Sequence, residues 1–153
     1  MNWIGIDPGL HGALAVIGPE GLIEVVDTPV FGGPKPAYDD SGMSQLLFKY
    51  RRDATAVLEA QQAFPKQGGV STFTTGYGYG LWRGLLTAHG IPCYTVRHRE
   101  WKKYYDIGAD KAEAVARASR LFSGGDFIGP RGGLLDGRAE ACLIAEYGRR
   151  LYG

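Results

Sequence analysis

The sequence predicts an α/β fold on a five-stranded mixed sheet, three antiparallel strands followed by two parallel ones, with helices flanking it. Three observations carry that expectation. Short apolar runs separated by turn residues open the chain, an amphipathic helical stretch then leads to another apolar run, and the second half alternates helical periodicity with one more short run. At 153 residues, 44% hydrophobic and 22% charged, the chain is long enough for a real core and too apolar for disorder. We expect residues 1–153 to form one domain.

The first run, Trp3-Ile4-Gly5-Ile6, reads as a buried strand. Pro8 has no N–H for a sheet ladder and Gly9 supplies an easy turn, so the chain leaves the sheet at Asp7 and a carboxylate stands at a strand end. Capping a turn is the simpler role for such an Asp taken alone. Ala13 to Gly18 pairs back antiparallel, and Leu22 to Val26 follows a Glu20-Gly21 turn. A Gly- and Pro-rich stretch, Phe31 to Gly42, ends this meander. Met43 to Arg51 has helical spacing, with Leu46, Leu47 and Tyr50 on one side and Ser41 or Ser44 as its cap. Thr55 to Glu59 is reached through that helix, which favours parallel pairing with the first strand. Glu59 then ends its strand on the same sheet edge as Asp7.

Ala60 to Thr75 is polar, aromatic and Gly-containing. From Thr74 to His89, Leu81, Trp82, Leu85 and Leu86 share a helical face, while Gly76, Gly78, Gly80 and Gly84 each cost ~1 kcal/mol of helix propensity. Close backbone packing would offset that cost, and we place a subunit interface on Thr74 to Leu86 with Trp82 and Leu85 as its apolar anchor. Pro92 to Val96 is the fifth strand, after a stop at Gly90. Trp101 to Tyr105 reads as a basic aromatic link. Asp110 with Glu113 forms a capping box opening a helix to Phe122, and a last helix runs from Leu135 to Arg149.

Other classes recede on composition. No apolar stretch approaches the ~20 residues of a membrane helix, and the amino terminus lacks a basic segment followed by an apolar one, so a cytoplasmic location is expected. Cys93 and Cys142 stand apart from each other and from the histidines, as buried free thiols would. Residues 1–76 carry five Lys and Arg against eight Asp and Glu, net −3, and residues 77–153 carry twelve against eight, net +4. That asymmetry suits a protein holding polyanions near a metal, although solvated surface accounts for it too.

Asp136 and Glu140 lie four residues apart and so share one helical face, where like charges repel. A helix dipole attracts acids to such a position without any further role. Together with Asp7 and Glu59 they make four carboxylates from three elements, each at an element's end. Magnesium takes hard oxygen ligands and keeps waters for substrate phosphates, which such a set can provide.

Ile4-Gly5-Ile6-Asp7-Pro8-Gly9, Leu58-Glu59, Trp101-Lys102-Lys103, Asp110-Lys111 and Asp136-Gly137-Arg138-Ala139-Glu140-Ala141-Cys142-Leu143-Ile144-Ala145, in that order, resemble the RuvC-type Holliday-junction resolvases. The length, the Trp-Lys-Lys link and the Asp-Gly-Arg-Ala-Glu form are most similar to bacteriophage members, which would place the protein in the host cytoplasm. The resemblance implies a ribonuclease-H-like fold, a homodimer, and nicking of two strands of a four-way DNA junction with two Mg2+ ions per site, Mn2+ substituting. It implies Asp7, Glu59, Asp136 and Glu140 as metal ligands, with Lys111, and after it Lys102, near the scissile or neighbouring phosphates. Bacterial members typically carry aspartate where Glu140 stands and an acid or histidine three residues before it. Here the spacing is four, which leaves open which of Asp136 and Glu140 contacts metal directly.

Around these acids, Lys66, Arg83, Arg97, Arg99, Lys102 and Lys103 are candidates to hold DNA, as are Arg131 and Arg138. Phe64 or Phe73, soon after Glu59, could stack on an unpaired base at the crossover, whereas Tyr77 and Tyr79 are expected to pack inside. Two other classes compete. A non-catalytic branched-DNA-binding domain could share the fold, but an unused acidic cluster would only repel phosphate. The actin and sugar-kinase ATP-binding fold also has a strand, an acid and a glycine-containing loop at its start; it needs a second domain that this length does not hold.

Overall fold

The computed structural model describes residues 1–153 and is organised around β1 (Asn2–Asp7), the middle strand of a five-stranded sheet. On one side β1 pairs antiparallel with β2 (Ala13–Gly18), which pairs antiparallel with β3 (Gly21–Asp27). The Gly- and Pro-rich stretch after β3 holds a small hairpin, β4 (Val30–Phe31) with β5 (Ala37–Tyr38), and leads into α1 (Asp40–Tyr50). Then β6 (Ala54–Glu59) joins β1 in parallel, α2 (Gly69–Ala88) crosses over, and β7 (Cys93–Val96) pairs parallel with β6. α3 (His98–Tyr104), α4 (Lys111–Leu121) and α5 (Asp136–Tyr152) complete the chain. The sheet is the mixed, ribonuclease-H-like one that the sequence predicts, in the spatial order β3-β2-β1-β6-β7.

Strand alternation divides the interior into two layers. Ile4, Ile6, Ala56 and Leu58 point to one face and pack on Met43 and Leu47 of α1 and Trp82 and Leu86 of α2. Trp3 and Val57 point to the other, against Leu143 and Ile144 of α5 and Val115 of α4. Counting on by twos, Asp7 and Glu59 fall on that second face, at the neighbouring ends of paired strands whose last registered pair is Ile6 with Leu58. Helix α5 reaches this face because Gly5 lacks a side chain: a Cβ there would collide with the carbonyl of Ala141 and the backbone nitrogen of Ala145. Its first turn is seated the same way, since a Cβ on Gly137 would strike the carbonyl of His11. Two absent side chains thus bring the helix carrying Asp136 and Glu140 against the strand that ends at Asp7.

Several local expectations change. Helix α1 is capped by Asp39, whose Oδ1 accepts the Gly42 N–H at 2.9 Å, because an aspartate outside the helix reaches a free N–H that Ser41 and Ser44, already inside it, cannot. Helix α2 begins at Gly69, five residues before the expected start at Thr74. Trp101 to Tyr105 is mostly helix, started by Glu100 accepting the Arg97 N–H at 2.6 Å. Asp110 caps α4 through the Ala112 N–H, but Glu113 passes over that cap to the Gly108 N–H at 2.6 Å, so the reciprocal capping box does not close. Cys142 is a buried thiol as expected, whereas Cys93 is exposed on β7, an edge strand. No helix is long and apolar enough to cross a membrane.

Trp82 is also corrected. It is fully buried between α2 and the sheet, and Leu85 is half-buried beside it, so neither is free to anchor a partner. The apolar groups that α2 turns outward are Val70, Phe73 and Tyr77. Of its central glycines, Gly78 makes room for the Tyr38 ring, while a side chain at Gly76, Gly80 or Gly84 would meet nothing.

Candidate active site

Asp7 is the hub of the acidic cluster. Its carboxylate accepts the Gly9 N–H at 3.4 Å, in the turn that Pro8 and Gly9 impose. Burial, then the charges of Glu59 and Glu140 and more weakly Asp136, push its ionisation up to about 8, against the single N–H that favours the anion. The four acids from β1, β6 and α5 are therefore close enough to feel one another. Glu59 is buried and likewise raised, by burial first, with the Trp101 hydrogen bond opposing. Tyr38, whose hydroxyl donates to the Pro8 carbonyl at 3.1 Å, ties the turn below Asp7 to the β4–β5 hairpin.

Five positive or N–H groups grip these acids. The Trp101 indole N–H donates to Glu59 Oε2 at 2.9 Å. Lys102 Nζ lies 3.1 Å from Glu140 Oε1, and Lys111 Nζ lies 2.9 Å from Asp136 Oδ2. His98 Nδ1 approaches Glu59 Oε1 at 3.4 Å and Gln61 Nε2 donates to the same oxygen at 3.2 Å. Sequence reading missed Trp101, His98 and Gln61 as partners of Glu59. The signal was there in part, since Gln61 follows the strand end by two residues, but the return of α3 over that end is a tertiary event.

As to a cation, the donor set fits: all four groups offer hard anionic oxygen, and the raised Asp7 marks a place short of positive charge. The arrangement is not closed, however. No three acidic, His or Cys side chains stand in position to surround an ion, while Lys102 and Lys111 each engage one of the acids of α5.

The DNA candidates separate by exposure. Lys66, Arg83, Arg97, Arg99, Lys103 and Arg131 are exposed, Arg83 lying against Tyr79. Phe64 and Phe73 are exposed too, with Phe73 stacked on Tyr77. Tyr77, expected inside, is half out in solvent, because the turn of α2 that buries Gly78 leaves it on the outer flank of Tyr38. Two candidates are engaged within the chain. Lys102 is buried and spent on Glu140, since α3 packs its inner side into the core. Arg138 is held bidentately by Asp27 at 2.7 and 2.9 Å, with Asp126 at 3.6 Å, so it ties the start of α5 to the end of β3. Beside Asp136 a cleft of about 500 Å3, lined by Leu10, His11, Thr28, Lys111 and Arg138, opens to the surface.

No family model matches the chain. Over 94 residues, 59% of its length, it is 35% identical to the chloroplastic Holliday junction resolvase MOC1 of Chlamydomonas reinhardtii, and it spans about a tenth of that curated relative, 10%. Among solved structures it is similar to Thermus thermophilus RuvC, with a TM-score of 0.68 and 21% identity over 99% of this chain and 97% of that one. A second structure, T. thermophilus RuvC in complex with a Holliday junction substrate, aligns with a TM-score of 0.67 and 21% identity, covering 99% and 96%. At such identity the structural likeness establishes the fold.

Proposed function

We propose that the protein is a divalent-metal-dependent endonuclease that nicks four-way DNA junctions in symmetry-related pairs. The observation that carries the proposal is the convergence on Asp7 of carboxylates from β1, β6 and α5. The identity shared with an algal resolvase and the fold shared with RuvC, one form of which holds a Holliday junction substrate, support the choice of substrate. Bacteriophage origin and a host-cytoplasm location rest on the motif resemblance alone.

Asp7, Glu59, Asp136 and Glu140 would hold the cations, and Mg2+, with Mn2+ as substitute, suits their oxygen donors. Bound there, two such ions would supply an activated water and neutralise the phosphoryl and leaving oxygens. The chain's own groups do the rest. Lys111, exposed at the mouth of the cleft, turns from Asp136 to the phosphate as charge develops on it. Trp101 fixes Glu59 and Lys102 fixes Glu140. Lys66, Arg83, Arg99, Lys103 and Arg131 contact DNA backbone, while exposed Phe64 or Phe73 stacks on an unpaired base.

Paired nicks need two sites, and the outer face of α2 suits a second copy of the chain: Gly76, Gly80 and Gly84 leave room for a partner backbone, and Val70 and Phe73 supply apolar area. Light scattering should give a dimer for the parent and a monomer for Gly80→Leu; a monomeric parent that still makes paired nicks refutes this arrangement. For the activity itself, labelled four-way, three-way, flapped and linear DNA are incubated with the protein, with and without Mg2+. Paired cuts in the four-way junction that need Mg2+ are expected. Equal cutting of linear DNA would mean a general nuclease, and tight binding without cutting a non-catalytic module.

A further inference from the structure

The two oxygens of Glu59 are treated very differently. Oε2 takes a 2.9 Å hydrogen bond from the indole of Trp101, a side chain with 0% exposure, in a buried setting. Oε1 faces Gln61 at 3.2 Å and His98 at 3.4 Å; the Gln61 amide is on a half-buried loop and the His98 imidazole is half exposed. The first contact has nowhere to go, because Trp101 is enclosed by the core and its indole has a single donor. The other two are longer and nearer solvent, where water or a cation can replace them.

We propose that Trp101 is the positioning residue of this site, its indole N–H locking Glu59 so that Oε1 is the oxygen presented to a divalent cation. The inference rests on the reading of Glu59 as a metal ligand. Adjacent on the same helix, Lys102 engages Glu140, so α3 grips acids from β6 and α5 at once; a single short helix sets how far apart they stand. Groups that hydrogen-bond a ligating side chain fix its orientation, and their loss commonly costs ~10-fold to 100-fold in metal affinity. A tryptophan that only filled the core would leave that affinity unchanged when its N–H alone is removed.

Trp101→Phe keeps an aromatic ring in place and deletes the donor. Mg2+ and Mn2+ binding are measured by calorimetry on the DNA-free protein, beside thermal unfolding in the absence of cation and junction binding in EDTA. We expect cation affinity to fall ~10-fold or more, with junction affinity in EDTA within about two-fold of the parent. Cation affinity equal to the parent's overturns the proposal. Should Trp101→Phe fold poorly, replacing Trp101 with 3-benzothienylalanine, which has the indole's shape and no N–H, puts the same question to an undisturbed core. Glu59→Gln separates the two readings: if the parent binds cation and Glu59→Gln binds it equally well, Glu59 is no ligand and the reading beneath fails. If Glu59→Gln loses binding while the Trp101 variants keep it, only the positioning role is lost.

Discussion

Lys102 and Lys111 make almost the same bond, to Glu140 at 3.1 Å and to Asp136 at 2.9 Å, yet one side chain is 9% exposed and the other 69%. The acids they meet are four residues apart on one helix. Burial alone separates their roles: an ammonium sealed in the core is a fixed counter-charge, whereas one on the surface is free to exchange its carboxylate for a phosphate. Both lysines sit beside aromatic or acidic neighbours in the sequence, and nothing local distinguishes them.

The largest effects should fall on stability at one lysine and on turnover at the other. Lys102→Ala strands Glu140 in a largely dry site and is expected to cost ~3 kcal/mol in denaturant unfolding, about 10 °C in Tm. Lys111→Ala is expected within ~0.5 kcal/mol of the parent in the same assay. Its junction cleavage should nonetheless slow ~100-fold, with affinity changed much less, because its contact strengthens as charge develops. Equal losses of rate and affinity would make Lys111 an ordinary phosphate contact and erase the contrast.

A second probe uses pH and no DNA. Asp7 ionises near 8 in the fold against 3.8 for an ordinary aspartate, so its contribution to stability is complete below pH 3.8 and is lost as pH rises through 8. At pH 8 without divalent cation, Asp7→Asn should therefore unfold at a higher temperature than the parent, by an amount corresponding to ~1–3 kcal/mol once solvent screening is allowed for. Near pH 4 the two should coincide. Added Mg2+ should raise the parent's Tm at pH 8 and leave the variant's unmoved, since a ligand stabilises the state that binds it.

The smallest effects concern the surface arginines. Arg131 is exposed and Arg138 is tied to Asp27 and Asp126. Arg131→Ala should reduce the salt dependence of junction binding by about one counterion and leave folding alone. Arg138→Ala should instead loosen the contact between α5 and the end of β3, with the salt slope unchanged.

What the sequence made legible follows the reach of each signal. Strand order came through because the apolar runs, the Asp7-Pro8-Gly9 turn and the helix between the first strand and Glu59 are local features that restrict the topology. Asp7 and Glu59 as neighbours followed from the parallel pairing that a helical crossover favours. Their coincidence with Asp136 and Glu140 depended on Gly5 and Gly137 admitting α5, a close approach that no periodicity displays. The pairing of Lys102 and Arg138 within the chain was hidden for the same reason: their partners lie 38 and 111 residues away. Trp82 was assigned to a partner because an amphipathic face looks identical whether it meets a sheet or another subunit.

If the acids around Asp7 cut DNA and do not merely hold the fold together, removing one of them must abolish cleavage and spare binding. Cleavage of an end-labelled four-way junction in Mg2+, measured for parent and Asp7→Asn beside binding of the same junction in EDTA, tests it most directly. The account predicts that the variant binds as tightly as the parent or tighter, having lost a charge that opposes phosphate, and makes no paired nicks. An Asp7→Asn protein that resolves the junction at the parent's rate would contradict it.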